Sequence, residues 1–146
     1  MSVHPSVLIN IALAIFALGL YAVGSYRFYR DRPPFLSFLV AAVLIDGLTA
    51  LLASFGITPT TQLPYSDFVP WRSDLFLTHI FLASIGFFGF IAVVLILSIR
   101  GTEQPYPRLR PFQFKFLLPI WLVGEGIALT NALIKALFRF RLYDYW

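Results

Sequence analysis

Four apolar runs, at 7–26, 35–55, 75–99 and 116–138, take up most of this 146-residue chain. Crossing the hydrocarbon core of a bilayer takes about 20 mostly apolar residues, each rising about 1.5 Å. Every run meets that length. No water is present at that depth to satisfy backbone N–H and C=O groups, so lone spanning runs of this length must be helical. The expectation is an all-α membrane protein, a single domain over 1–146, with four transmembrane helices in an up-down bundle joined by short connections. Charged residues make up only 12% of the chain, against about 25% in a soluble domain. Little sequence remains outside the membrane to fold into a separate catalytic unit.

Cysteine is absent from the sequence, which removes disulfides, thiolate metal sites and cysteine nucleophiles. The net charge of +4 is no nucleic-acid signature, because the basic residues sit in small groups at span ends, where Lys and Arg anchor helices. No nucleic acid is expected as a partner; the lipid bilayer is. No Lys or Arg precedes the first run, so it does not read as a cleavable signal peptide, which carries a positive n-region. Arg27, Arg30 and Arg32 follow the first run, and Arg100, Arg108, Arg110 and Lys115 lie between the third and fourth. The positive-inside rule then places those two loops in the cytoplasm and both termini outside. A bacterial inner membrane is the expected location.

Each run carries a stripe of small or polar residues at helical spacing. The first has Asn10, Ala14, Ala17, Tyr21 and Gly24, and the second Ala42, Asp46, Thr49, Ala50 and Ala53. The third has His79, Ala83, Gly86 and Gly89, and the fourth Trp121, Glu125, Ala128 and Ala132. Small residues let membrane helices approach closely, since the hydrophobic effect gives no drive between helices in lipid. These stripes should face one another.

The polar residues within the runs are the candidate site. Asp46 and Glu125 each lie near the middle of a run. A carboxylate there costs on the order of 2.5–3.5 kcal/mol even on the translocon scale, so both should face the bundle interior. If they face each other, both should not be charged at once. They could hold the bundle together or form a proton path. His79 is the one histidine inside a run, and His4 the only other in the chain. A neutral imidazole can ligate haem iron or the magnesium of a chlorophyll-type pigment, or hydrogen-bond a quinone. Asn131 and Asn10 fall at the depth of His79, giving a polar pocket in the outer half. Gly124-Glu125-Gly126, after Pro119, should loosen the fourth helix, and Lys135 should snorkel to the outer interface. The tail 138–146 alternates aromatic and charged residues, as an interfacial anchor or a docking segment would.

Ile45-Asp46-Gly47-Leu48-Thr49, Thr78-His79 and Pro119-Ile120-Trp121-Leu122 occur in an order that resembles the HsmA family of small four-span bacterial membrane proteins. That resemblance implies the four-helix architecture and draws attention to Asp46 and His79. It implies no particular activity.

No phosphate loop, zinc-binding His pair or serine elbow is present in the sequence. The first functional expectation is therefore a non-catalytic accessory subunit of a larger membrane assembly of energy conversion, with other membrane protein subunits as partners. The second is a small proton-linked carrier using Asp46 and Glu125. The third is a haem- or pigment-binding electron-transfer protein using His79.

Overall fold

The computed structural model describes residues 5–54 and 63–143. Four helical segments long and apolar enough to cross a membrane are found there. They are α1 (Pro5–Tyr29), α2 (Leu36–Ser54), α3 (Arg72–Arg100) and a composite fourth span, Leu109–Phe138. The fourth span opens with α4 (Leu109–Phe112), widens into a π-helical turn at Gln113–Leu117 and continues as α5 (Leu118–Phe138). The chain is an all-α integral membrane protein with the expected four-helix bundle.

The first, third and fourth helices outrun their apolar runs, most of all in the fourth span, which starts at Leu109 rather than at 116, while α2 stays within its run. Hydropathy marks only the part that suits hydrocarbon, whereas a helix can extend into the headgroup layer with charged residues on it. Pro111 lies in the first turn, where backbone N–H groups have no intrahelical partner in any case. The π turn ends two residues before Pro119. Proline lacks an N–H and its ring crowds the turn before it, and a wider turn relieves that crowding. Gly101, with φ of +84°, ends α3 and returns its N–H to the Leu97 carbonyl at 3.0 Å. That left-handed step suits glycine.

Neighbours in sequence are neighbours in space: α1 packs chiefly on α2, and α3 chiefly on α5. The two pairs then meet along α1–α5 and α2–α3. Part of the expected stripes is buried in the contacts, Ala17, Tyr21 and Gly24 of α1, Ala42 of α2, Gly86 of α3 and Trp121 of α5, and Gly124 of α5 is buried with them. A Cβ on Gly124 would lie 2.5 Å from the backbone nitrogen of Ala83, and one on Gly86 would lie 2.8 Å from the Cα of Trp121. Only residues without a side chain allow α3 and α5 to cross this closely.

Packing is dense toward the basic end of the bundle, where the α1–α2 and α3–α4 connections lie. Tyr21, Phe28, Phe35, Leu39, Phe90, Leu97, Leu117 and Trp121 form the core there. Tyr21 stacks at a tilt on Phe90 and Trp121, with centroids 4.2 and 4.4 Å away. Gln113 donates from Nε2 to Ser25 Oγ, and both side chains are fully buried. Arg110 closes this end by donating to Asp31 at 2.7 Å while its guanidinium lies over the Phe28 ring. Toward the opposite end the packing thins. The last buried residue of α2 is Asp46, with none from Gly47 to Ser54.

Candidate functional site

The thinning leaves a cavity of about 310 Å³ between the two helix pairs, in the half of the bundle away from the basic end. All four spans line it. Asn10 and Ala14 come from α1, Asp46, Thr49 and Ala50 from α2. His79, Ala83 and Phe87 come from α3, and Glu125, Asn131 and Lys135 from α5. The acids, the histidine and both asparagines singled out from the sequence thus share one space. The polar pocket expected at the depth of His79 corresponds to this cavity.

Asp46 forms its floor. The Tyr21 hydroxyl and the Trp121 indole N–H both donate to Asp46 Oδ2, at 3.1 and 2.9 Å. Thr49 Oγ1 donates to the Asp46 backbone carbonyl at 2.7 Å. The carboxyl therefore ties α1, α2 and α5 together above the aromatic core. A buried acid satisfied by two donors is a structural joint, since removing it would strand an indole N–H and a phenol O–H.

Glu125 is placed differently. It lines the same cavity but makes no hydrogen bond or ion pair with a described residue. Asp46 is close enough for its charge to act on Glu125, yet the two carboxyls are not bonded to each other. The acids that look equivalent in sequence are thus one bonded and one open to the cavity.

His79 Nδ1 lies 2.8 Å from the carbonyl of Gly124. A carbonyl only accepts, so Nδ1 carries the hydrogen, and the neutral ring has Nε2 as its acceptor atom. Nε2 is the atom that a haem iron or a pigment magnesium would take. The Tyr143 ring stacks near the imidazole at 6.0 Å and meets Phe76 at 5.7 Å. His4, the only possible second histidine ligand, lies outside the described residues. No group of three or more metal-ligating side chains occurs among the described residues.

Beyond α5 the chain turns back at Arg139, which has a left-handed backbone (φ 62°). Asn131 grips the returning segment from both sides of its amide. Its Nδ2 donates to the Tyr143 carbonyl at 3.1 Å, and its Oδ1 accepts from Leu142 N–H at 2.9 Å. Arg141 pairs with the α2–α3 connection through Ser66 N–H and the Pro64 carbonyl. Tyr65 lies beneath the guanidinium groups of both Arg72 and Arg141. The described part of the tail thus docks on its own bundle, beside the cavity.

Two expectations from the sequence change. Gly124 does not loosen the fourth span: α5 runs unbroken from Leu118 to Phe138, and Gly124 is occupied by the backbone of α3. Lys135 is buried and lines the cavity rather than lying out on the surface. Sequence reasoning also misses Tyr21 and Trp121 as the partners of Asp46. A signal is there, because both are large, polar-tipped rings on stripes otherwise made of small residues.

Comparison with protein-family models, with curated proteins and with solved structures gave no match.

Proposed function

We propose that the chain is a small proton-linked carrier, working from the cavity between its two helix pairs, with Glu125 as the acid that exchanges its proton. The observation that carries this reading is the division of labour between the acids: Asp46 has two donors on one oxygen, whereas Glu125 faces the cavity unbonded. An acid at membrane depth is functional by default when no structural partner explains it. The architecture supports the same reading. Two tightly paired helix hairpins meet more loosely, and the cavity opens in one half only while aromatic rings fill the other. Rocking of one pair against the other would move such a cavity from one side to the other.

The test uses the purified chain in liposomes loaded with a pH-sensitive dye. Small cations, small anions and uncharged solutes are added in turn. One of these classes should move protons, and Glu125→Gln should abolish that movement. No proton movement with any class removes the carrier reading.

The subunit reading rests on exposed aromatic and aliphatic faces, such as Leu77, Phe81 and Phe88 on α3, and lipid covers such faces equally well. The size of the particle extracted in mild detergent decides it. Orientation in a bacterial inner membrane, with both termini outside, follows from the seven basic residues at one end. Reporter fusions at Gly101 and at the C-terminus test it, and cytoplasmic activity at the C-terminus reverses it. The likeness to the HsmA family stands as a proposal on the motif residues alone.

A further inference from the structure

Resting on the carrier reading of the same cavity, we propose that its ligand is a small organic monocation with an apolar body, an amine or a quaternary ammonium, bound at Glu125 in exchange for a proton. The charges lining the cavity select the sign. Both acids, Asp46 and Glu125, line it, Asp46 next to the aromatic core through Tyr21 and Trp121. Lys135 lies ten residues further along the same helix as Glu125, about 15 Å of helical rise away. Two neighbouring carboxyls in a low dielectric repel one another when ionised, and a single positive charge beside them offsets that repulsion. An anion would meet both acids and gain nothing from a lysine so far off.

The walls select the body. Ile11, Ala14, Ala50, Ile80 and Ala83 give an apolar lining, and Phe87 adds an aromatic ring, a surface that organic cations favour over water. A hydrated metal ion would leave most of this lining unused. The volume, about 310 Å³, lies at the lower end of the roughly 300–1,000 Å³ typical of small-molecule sites, which favours a compact ligand such as a single substituted ring.

The exchange step balances. The Glu125 carboxyl gives up its proton to water in the cavity as the cation arrives, and a carboxylate–cation pair replaces the neutral acid. One positive charge enters for each proton that leaves. The titratable groups that share the cavity with Glu125 are Asp46 from α2, His79 from α3 and, at the far end, Lys135 from its own helix, with Tyr21 from α1 reaching it through its bond to Asp46. Asp46 and Tyr21 are committed to each other, and His79 is bonded to Gly124, which leaves Glu125 as the acid that meets the ligand.

The probes are benzyltrimethylammonium, benzyl alcohol and benzoate, which share one ring and differ in charge. Binding to the purified full chain is measured in weakly buffered detergent with a pH dye, with empty micelles as the blank. Benzyltrimethylammonium should bind and release up to one proton per cation, and its affinity should fall up to tenfold per pH unit on acidification. Benzyl alcohol and benzoate should release none. Glu125→Gln should abolish both signals, Glu125→Asp should retain weaker binding as a control for folding, and Asp46→Asn, which removes one of the two charges, should weaken cation binding without abolishing it. Proton release by benzoate or benzyl alcohol would overturn the ligand class while leaving a carrier of another solute standing. Full cation binding in Glu125→Gln, or its loss in Asp46→Asn alone, would overturn the assignment of the site.

Discussion

The Nδ1 hydrogen of His79 is held by the carbonyl of Gly124, 2.8 Å away on the facing helix, one residue before the open acid Glu125. This bond joins α3 to α5 where the two helices cross most closely, and it fixes both the tautomer and the ring plane of the imidazole.

Replacing His79 with alanine should therefore weaken the fold, by about 1–3 kcal/mol if a buried hydrogen bond is lost with no substitute. Asn at the same position, whose amide can also donate, should recover part of that loss. Thermal unfolding of the purified variants in one detergent reads both. A His79→Ala protein that melts like the parent would show that the bond carries no stability. An absorption band present in the parent and missing in a still-folded His79→Ala variant would instead identify a ligated haem or pigment.

Asp46 offers a sharper test, because Tyr21 and Trp121 donate to the same oxygen. Asp46→Asn keeps an acceptor oxygen and should be tolerated. Asp46→Leu leaves two donors without a partner and should cost more, on the order of 1–3 kcal/mol for each stranded group. Tyr21→Phe and Trp121→Phe each remove one donor. Since the donors share one acceptor, the double variant should not equal the sum of the singles, with a coupling of about 0.5–3 kcal/mol. Strict additivity across that cycle would show that the joint does not act as a unit.

Much of this arrangement is legible in the amino-acid sequence. Apolar runs of spanning length leave the backbone one solution, and the small-residue stripes say which faces meet. The depths of Asp46, Glu125 and His79 follow from counting residues along helices, so their meeting in one half of the bundle is readable. The split between the acids is not. Asp46 is bonded only because Tyr21 and Trp121, 25 and 75 residues away in sequence, reach one oxygen. No local pattern encodes a convergence of three helices. The start of the fourth span at Leu109 is hidden for another reason. Arg110, Pro111 and Gln113 read as a loop, yet they suit a helix whose first turns leave the hydrocarbon.

The glycines of the fourth span separate packing from helix propensity. At Gly124 an added methyl would meet the Ala83 backbone, at 2.5 Å from its nitrogen and 2.9 Å from its Cα. Backbone cannot move aside as a flexible side chain would, so Gly124→Ala should destabilise by roughly 1–3 kcal/mol. At Gly126 nothing lies within 4 Å of the added carbon. Gly126→Ala should be neutral, or stabilising by up to about 1 kcal/mol, because alanine is the better helix former. Opposite shifts of the melting temperature in the two variants are expected. Equal shifts would mean that α3 and α5 do not cross at Gly124.

The pair between Asp31, in the α1–α2 connection, and Arg110, in the first turn of the fourth span, predicts how stability responds to acid. Asp31 Oδ1 accepts from Arg110 at 2.7 Å; the arginine side chain is 11% exposed and the aspartate 65%. The hydrogen bond from Arg110, helped by its charge, holds the Asp31 carboxyl below its ordinary range. A carboxyl with a depressed folded-state pKa binds protons more readily in the unfolded chain. Its contribution is therefore complete above the unfolded value of about 3.9 and fades as the pH falls from there through the lower folded value. Asp31→Asn is the suitable control. Asparagine also accepts the left-handed backbone at this position, where φ is 56°, but it has no charge to lose. At neutral pH the variant should melt below the parent, since the mostly buried Arg110 loses its anionic partner. As the pH falls from about 4 through the lower folded value the difference should shrink, and added salt should reduce it at neutral pH because Asp31 is largely exposed. Melting curves of parent and variant across that range decide the matter. A gap that stays constant down to pH 2 would show that the ion pair is not what Asp31 contributes.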